Sequence, residues 1–105
     1  MSIDISCYTT TPLPETEEIL NRVASEHSDL FPHCMTHPRA WSAKDVDTRI
    51  ASDYGLTPRS AFLVSVNDKS QAYRVPELAK VLRNAFEANA SSQRILILRD
   101  NEQAI

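Results

Sequence analysis

The chain has 105 residues and contains a single glycine, Gly55. Loops that wrap phosphate groups need several glycines, because glycine tolerates positive φ angles and lets the backbone approach a ligand closely. The sequence therefore excludes a P-loop and a dinucleotide-binding fingerprint. We expect Gly55 to end a helix in the left-handed conformation, with Leu56 making the apolar contact that accompanies such an end.

Length and composition predict one small globular domain covering residues 1–105. The hydrophobic fraction is 42% and the charged fraction is 24%, close to the averages of globular proteins. No apolar run approaches the roughly 18 residues that span a bilayer, and residues 1–4 lack the basic and apolar stretches of a secretory signal. We expect a soluble cytoplasmic protein, with no membrane association and with Cys7 and Cys34 reduced.

The negative charge of the chain is concentrated in its first third. The net charge is −3; residues 1–31 hold six acidic residues and one basic residue, whereas residues 32–105 hold eight acidic and ten basic residues. Proteins that bind nucleic acids take much of their affinity from Lys and Arg on phosphates. The charge balance therefore argues against a nucleic-acid partner.

Hydrophobic patterning predicts a three- to four-stranded mixed or parallel sheet with about three helices, in an α/β or α+β domain. Ile3, Ile5 and Cys7 alternate with more polar residues, as in a half-buried strand. Residues 61–66 and 94–99 are nearly continuous apolar runs, typical of strands covered on both faces. With a helix between them, these two runs predict a C-terminal β–α–β unit whose strands pair in parallel.

Three helices are predicted from apolar spacing and from helix-end signals. The first begins at Pro14 and runs to about Leu30, the second is capped by Ser42 and ends before Gly55, and the third runs from Pro76 to Ser91. In the second helix Val46, Ile50 and Tyr54 share a face, although alternation of Val46, Thr48 and Ile50 also fits a strand. The first helix turns these residues toward the core: Ile19, Leu20, Val23, His27 and Leu30.

Residues 33–41 have no clear period, although a short edge strand fits within them, and they hold one candidate metal site. His33, Cys34 and His37 offer three ligands within five residues. Structural zinc usually relies on paired cysteines, and a Cys–His hydrolase needs a third group that orients the imidazole. An ordinary surface loop is therefore favoured, and we expect no catalytic residue, metal or cofactor.

Polar clusters follow each predicted strand and would meet at one edge of a parallel sheet, where open α/β sheets bind ligands. These clusters are residues 8–10, 67–69 and 99–102. Asp68 and Asp100 have the oxygen ligands that Mg²⁺ prefers, so a small-ligand or metal-dependent enzyme using Asp68, Asp100 and Asn101, or else the loop with His33, Cys34 and His37, is the alternative function. Turn formation explains the same Asn and Asp residues without any ligand.

The first predicted helix presents an acidic face formed by Glu15, Glu18, Glu26 and Asp29, interrupted by Arg22. Such a run is commonly a solvated surface. Its functional interpretation is a docking surface for a basic protein, because complementary charge accelerates and orients association. We therefore assign Glu15, Glu18, Glu26 and Asp29 as the candidate partner-binding residues.

None of the candidate catalytic sites has a full set of the residues it needs, whereas the first helix does present an acidic face. The sequence therefore favours a binding protein over an enzyme. The leading hypothesis is a small inhibitor of another protein, of the immunity-protein or antitoxin kind; this comparison rests on size and charge alone. Its partner is predicted to have a basic surface. A further hypothesis is a subunit that assembles with itself through an exposed strand edge near residues 33–41, so both a monomer and a homodimer fit the sequence.

Overall fold

The computed structural model describes residues 3–31, 39–67, 69–88, 94–99 and 103–105. In this part of the chain there are five strands, three α-helices and one 3-10 helix. The strands are β1 (Ile3–Thr9), β2 (Arg39–Ser42), β3 (Ser60–Val66), β4 (Ile95–Arg99) and β5 (Gln103–Ala104). The helices are α1 (Leu13–Glu26), α2 (Asp45–Ser52) and α3 (Val75–Glu87), and the 3-10 helix Lys69–Arg74 leads into α3.

The strands form one sheet in the order β2-β3-β1-β4-β5, and every neighbouring pair is antiparallel. The small α+β domain is confirmed, but the predicted parallel pairing is wrong. The last two long strands do run in the same direction, yet β1 lies between them and pairs with both. Apolar runs indicate that strands are buried and do not indicate their neighbours. The chain thus forms two split β–α–β units of the ferredoxin-like kind.

The antiparallel sheet separates the polar clusters that follow the strands. Thr9, the last residue of β1, pairs with Ser60 and Ile95, which are the first residues of β3 and β4. The end of β1 therefore lies at the opposite end of the sheet from the ends of β3 and β4, and the expected meeting of all three clusters does not occur. Asp68, Asp100 and Asn101 lie outside the described residues.

The larger core lies between one face of the sheet and the helices α1 and α3. Phe62 and Phe86 stack at its centre with ring centroids 5.5 Å apart. Cys7 is buried here, as its alternation with Ile3 and Ile5 predicts, and burial raises the pKa of its thiol. The helices contribute Ile19, Leu20, Val23, Leu78, Ala79, Leu82 and Phe86.

The smaller core lies on the opposite face of the sheet, beneath α2. It consists of Tyr8, Ala51, Leu56, Ala61 and Leu98. The helix itself is confirmed over the strand alternative. Of the three residues expected to share a face, Ile50 packs against the smaller core, whereas Val46 and Tyr54 are exposed.

Hydrogen bonds, rather than apolar spacing, decide how α2 faces the sheet. Val46 and Tyr54 are 54% and 44% exposed, whereas Asp47 is only 5% exposed. The Asp47 carboxylate accepts hydrogen bonds from Trp41 Nε1 at 2.9 Å and from the backbone N–H of Lys44 at 2.8 Å. Lys44, rather than Ser42, is therefore the N-cap residue.

Most predicted element boundaries hold to within a few residues. α1 ends at Glu26 instead of Leu30, because His27 leaves the helical conformation, yet Leu30 is still fully buried. Pro76 lies in the first turn of α3 as expected. The edge strand expected within residues 33–41 is confirmed for Arg39–Ser42; residues 32–38 lie outside the described part.

Gly55 ends α2 in the left-handed conformation, as the sequence predicts. Its φ is +76°, its N–H donates to the carbonyl oxygen of Ser52, and the N–H of Leu56 donates to that of Ala51. Leu56 is buried against the smaller core. This is a left-handed helix end with its apolar contact.

Replacing Gly55 with alanine should lower the free energy of unfolding by about 1 kcal/mol. A Cβ at this position would meet no atom within 4 Å, so the cost is one of backbone conformation alone. Gly55→Asn should cost less, because asparagine tolerates the left-handed region better. Urea unfolding of both variants measures the difference, and equal stability of Gly55→Ala and the parent chain would contradict it.

Candidate docking surface

α1 carries four exposed glutamates, and three of them share one side of the helix. Glu15, Glu18 and Glu26 are exposed, and their spacing of three and eight residues keeps them on one side of the helix, with Arg22 among them. Asp29 is also exposed, but it lies in the turn after the helix. The four predicted residues therefore divide into three on α1 and one beyond it; together they are called the acidic face below.

Buried hydroxyl groups attach the first turn of α1 to the sheet. Thr16 Oγ1 lies 2.7 Å from Ser60 Oγ, which donates at 2.7 Å to the carbonyl oxygen of Thr11. Thr11, Thr16 and Ser60 are fully buried. Since an unsatisfied buried hydroxyl is costly, these bonds fix the start of α1 against the start of β3. Glu15 therefore projects from a rigid base.

Asp29 is held by Arg74, the last residue of the 3-10 helix. Arg74 Nη2 lies 2.8 Å from Asp29 Oδ2, Arg74 Nη1 donates to the Asp29 carbonyl oxygen, and Arg74 Nε lies 2.9 Å from Glu77 Oε2. The side chain of Arg74 is 16% exposed, whereas those of Asp29 and Glu77 are 66% and 49% exposed. The hydrogen bond from Arg74 lowers the pKa of the Asp29 carboxyl.

Arg74 divides the acidic face into two kinds of carboxylate. Asp29 already has a cationic partner within the chain. Within the described residues no ion pair engages Glu15, Glu18 or Glu26. In that part of the chain, these three glutamates are therefore not compensated by a neighbouring cation.

A groove of about 320 Å³ runs between α1 and α3 beside the acidic face. Val23, Val81 and Ala85 form apolar walls. Glu26 and the half-buried His27 also line it, which agrees with the expectation that His27 is partly buried on the inner side of α1. The groove places a concave, partly apolar surface next to Glu26 of the acidic face.

The other candidate sites cannot be placed as groups. His33, Cys34 and His37 lie outside the described residues, as do Asp68, Asp100 and Asn101. Among the residues that the structure does describe, no three His, Cys, Asp or Glu side chains come together as ligands of a metal ion. In the same residues, no helix has the length and apolarity needed to cross a membrane.

Two residues of this surface escaped the sequence analysis. Arg74 lies 45 residues from Asp29, and no local pattern connects positions so far apart. Glu77 follows Arg74 by three residues, a spacing that brings side chains together where the chain is helical. That spacing is the only sequence signal for an ion pair of Arg74, and it indicates Glu77 as the partner, not Asp29.

Comparison with known proteins agrees with a binding function. Residues 1–103 match the family model described as CDI System Immunity Component. The chain is 38% identical over 102 residues to Immunity protein CdiI-2 of Burkholderia pseudomallei strain 1026b, and the match covers 97% of both proteins. It also resembles a chain of the CdiA-CT/CdiI toxin and immunity complex from Burkholderia pseudomallei, with a TM-score of 0.89 and 36% sequence identity. That match covers 97% of this chain and 95% of the other.

The family match spans nearly the whole chain, and the structural match has the same extent. The prediction of a small immunity protein that inhibits a toxin is thereby confirmed. The chain belongs to the family of CDI system immunity components.

Proposed function

We propose that this immunity component neutralises its toxin by covering a basic surface of that toxin with the acidic face of α1. The observation that carries the proposal is the set of three exposed glutamates, Glu15, Glu18 and Glu26, which have no ion-pair partner in the described residues and project from a helix fixed to the sheet. The similar solved structure holds a toxin together with its immunity protein, which supports a direct complex.

The physical advantage of such a face lies in speed and orientation. Exposed carboxylates on one side of a molecule attract a cationic surface over the Debye length, roughly 10 Å at 0.1 M salt. Complementary charge raises the association rate more than it raises affinity. An inhibitor must reach its toxin before the toxin reaches its substrate, so a fast encounter suits the task.

Rigidity supports the same proposal. The hydroxyl groups of Thr16 and Ser60 fix the start of α1, while Arg74 holds Asp29 beyond its end. The carboxylates therefore lose little backbone freedom on binding, and preorganisation of this kind improves affinity. Asp29 keeps 66% of its side chain exposed, so it stays in the proposed binding set. A buried free thiol at Cys7 fits the reducing cytoplasm, the proposed compartment.

Charge reversal at the acidic face should slow association with the cognate CdiA-CT toxin. The triple variant Glu15→Lys, Glu18→Lys, Glu26→Lys is expected to lower the association rate constant at least about tenfold at low salt and to remove most of its salt dependence. Stopped-flow measurements across a salt series give both quantities. Thermal unfolding should change little, because the substituted residues are exposed.

The matched control reverses three exposed acids elsewhere, Asp45→Lys, Asp53→Lys and Glu87→Lys, and so changes the net charge equally. If the acidic face docks the toxin, the control slows association much less than the α1 variant does. Equal slowing by both variants would mean that only net charge matters. No slowing in either would overturn the docking surface, while a loss of toxin inhibition without loss of binding would overturn the covering mechanism.

Asp29 should differ from the glutamates in its effect on stability. Its pKa is lower in the folded chain than the ordinary value of 3.8, so its ion pair stabilises the fold above that pH and is lost as the pH falls through the folded-state pKa. Asp29→Asn should therefore lower the melting temperature at pH 7 and have no effect at pH 2. Glu18→Gln serves as the control, because it removes an exposed carboxylate that has no ion pair in the described residues. Calorimetry over this pH range tests the assignment, and parallel curves for the two variants would contradict it.

A further inference from the structure

Glu26 lies at the end of α1 that least favours a carboxylate. The C-terminal end of a helix carries a partial negative charge, so basic side chains are favourable there and acidic ones are not. Glu26 is the last residue of α1, and the last turn of this helix holds no basic residue. Within the described part of the chain, its exposed carboxylate forms no ion pair. A cation from outside the chain would compensate both the carboxylate and the helix end.

The groove between α1 and α3 lies beside this carboxylate, and Glu26 is part of its lining. Val23, which lines the groove, is buried in the larger core, and Val81 and Ala85 are half-buried and packed against that core. These apolar walls are therefore in place before any partner arrives. Lysine and arginine lay their aliphatic stems along apolar surface and keep the charged group in a polar environment. Such a side chain matches an apolar groove that has a carboxylate in its lining.

The other polar groups of the groove determine which way a basic side chain lies in it. Arg22 also lines the groove, one turn before Glu26, so the charged group of an occupant belongs at the Glu26 end. His27 beyond the helix is half-buried, and Asn84 of α3 supplies an amide oxygen that accepts hydrogen bonds. The ionisable residues of α3 lie outside the groove lining: Glu77, Lys80, Arg83 and Glu87.

We propose that the groove receives one lysine or arginine side chain of the cognate toxin, with its cationic group on Glu26. The inference rests on the proposed function, in which the acidic face covers a basic surface of the toxin. Because Glu26 belongs to both the acidic face and the groove, the two form one continuous surface. Exposed charges at the rim of an interface act mainly on the association rate, whereas a buried charge pair slows dissociation. Glu26 therefore has a role that Glu15 and Glu18 do not share.

Glu26→Gln and Glu15→Gln form a matched pair for testing this role. Each variant removes one exposed carboxylate of the acidic face, and only Glu26 lines the groove. Glu26→Gln should raise the dissociation rate constant of the toxin complex at least about tenfold, because the cation of the toxin stays buried without its counter-charge. Glu15→Gln should leave that constant within about twofold of the parent value. Displacement of labelled cognate CdiA-CT toxin by an excess of unlabelled toxin measures both constants.

Thermal unfolding of the free variants separates this role from a structural one. Removing the charge of Glu26 also removes its repulsion by the helix end, so the melting temperature of Glu26→Gln should equal or exceed that of the parent chain. Faster dissociation together with undiminished stability assigns the effect to the contact with the toxin.

Filling the groove tests the same proposal without changing any charge. Ala85→Leu places a larger side chain in the groove and should raise the dissociation rate constant about tenfold, because the stem of the toxin side chain no longer fits. Ala88→Leu should act in the same way from an exposed position in the lining, where a larger side chain does not threaten folding. The matched control is Ala24→Leu, since Ala24 is also half-buried against the larger core but does not line the groove.

Equal dissociation rates for Glu26→Gln and Glu15→Gln would overturn the proposal. So would dissociation that folded Ala85→Leu and Ala88→Leu chains leave unchanged. Faster dissociation in the leucine variants without any effect of Glu26→Gln would identify an apolar side chain as the occupant, and this also contradicts the proposal. Failure of the acidic face itself appears elsewhere, as an association rate that charge reversal does not alter, so the two failures are distinguishable.

Discussion

The pairing of β1 with two strands at once determines the rest of this fold. Its seven residues take partners from β3 along their full length and from β4 along the last five. Ile5 and Cys7 are fully buried beneath α1 and α3, and Tyr8 lies beneath α2 on the other face. Both cores therefore contain side chains of the same strand. Because α1 follows β1 directly, the acidic face is oriented by this strand as well.

Sequence patterns predicted the elements better than their arrangement. The spacing of Ile19, Leu20 and Val23 identified the inner side of α1 correctly. Thr16 also lies on this side, where hydrogen bonds satisfy its hydroxyl group. In α2 only Ile50 of the expected shared face packs inward, because hydrogen bonds from Trp41 and Lys44 turn Asp47 toward the sheet. Strand direction failed for a different reason. A strand buried on both faces has the same apolar composition in parallel and antiparallel sheets.

The candidate docking surface was predictable to the extent that it is local. Glu15, Glu18 and Glu26 follow from helical spacing and from the polar side of one amphipathic helix. The separate role of Asp29 depends on its ion pair with Arg74. This pair forms because the split topology brings the turn after α1 beside the start of α3.

The contact between the end of β1 and the start of β4 has a consequence for synthesis. Thr9 Oγ1 donates to the carbonyl oxygen of Arg94, and the backbone N–H of Thr10 donates to the same oxygen, across more than eighty residues of chain. Contacts between such distant positions slow folding, because a long loop must close first. β1 is synthesised more than eighty residues before Arg94, so the sheet can close only after that stretch of the chain has been made.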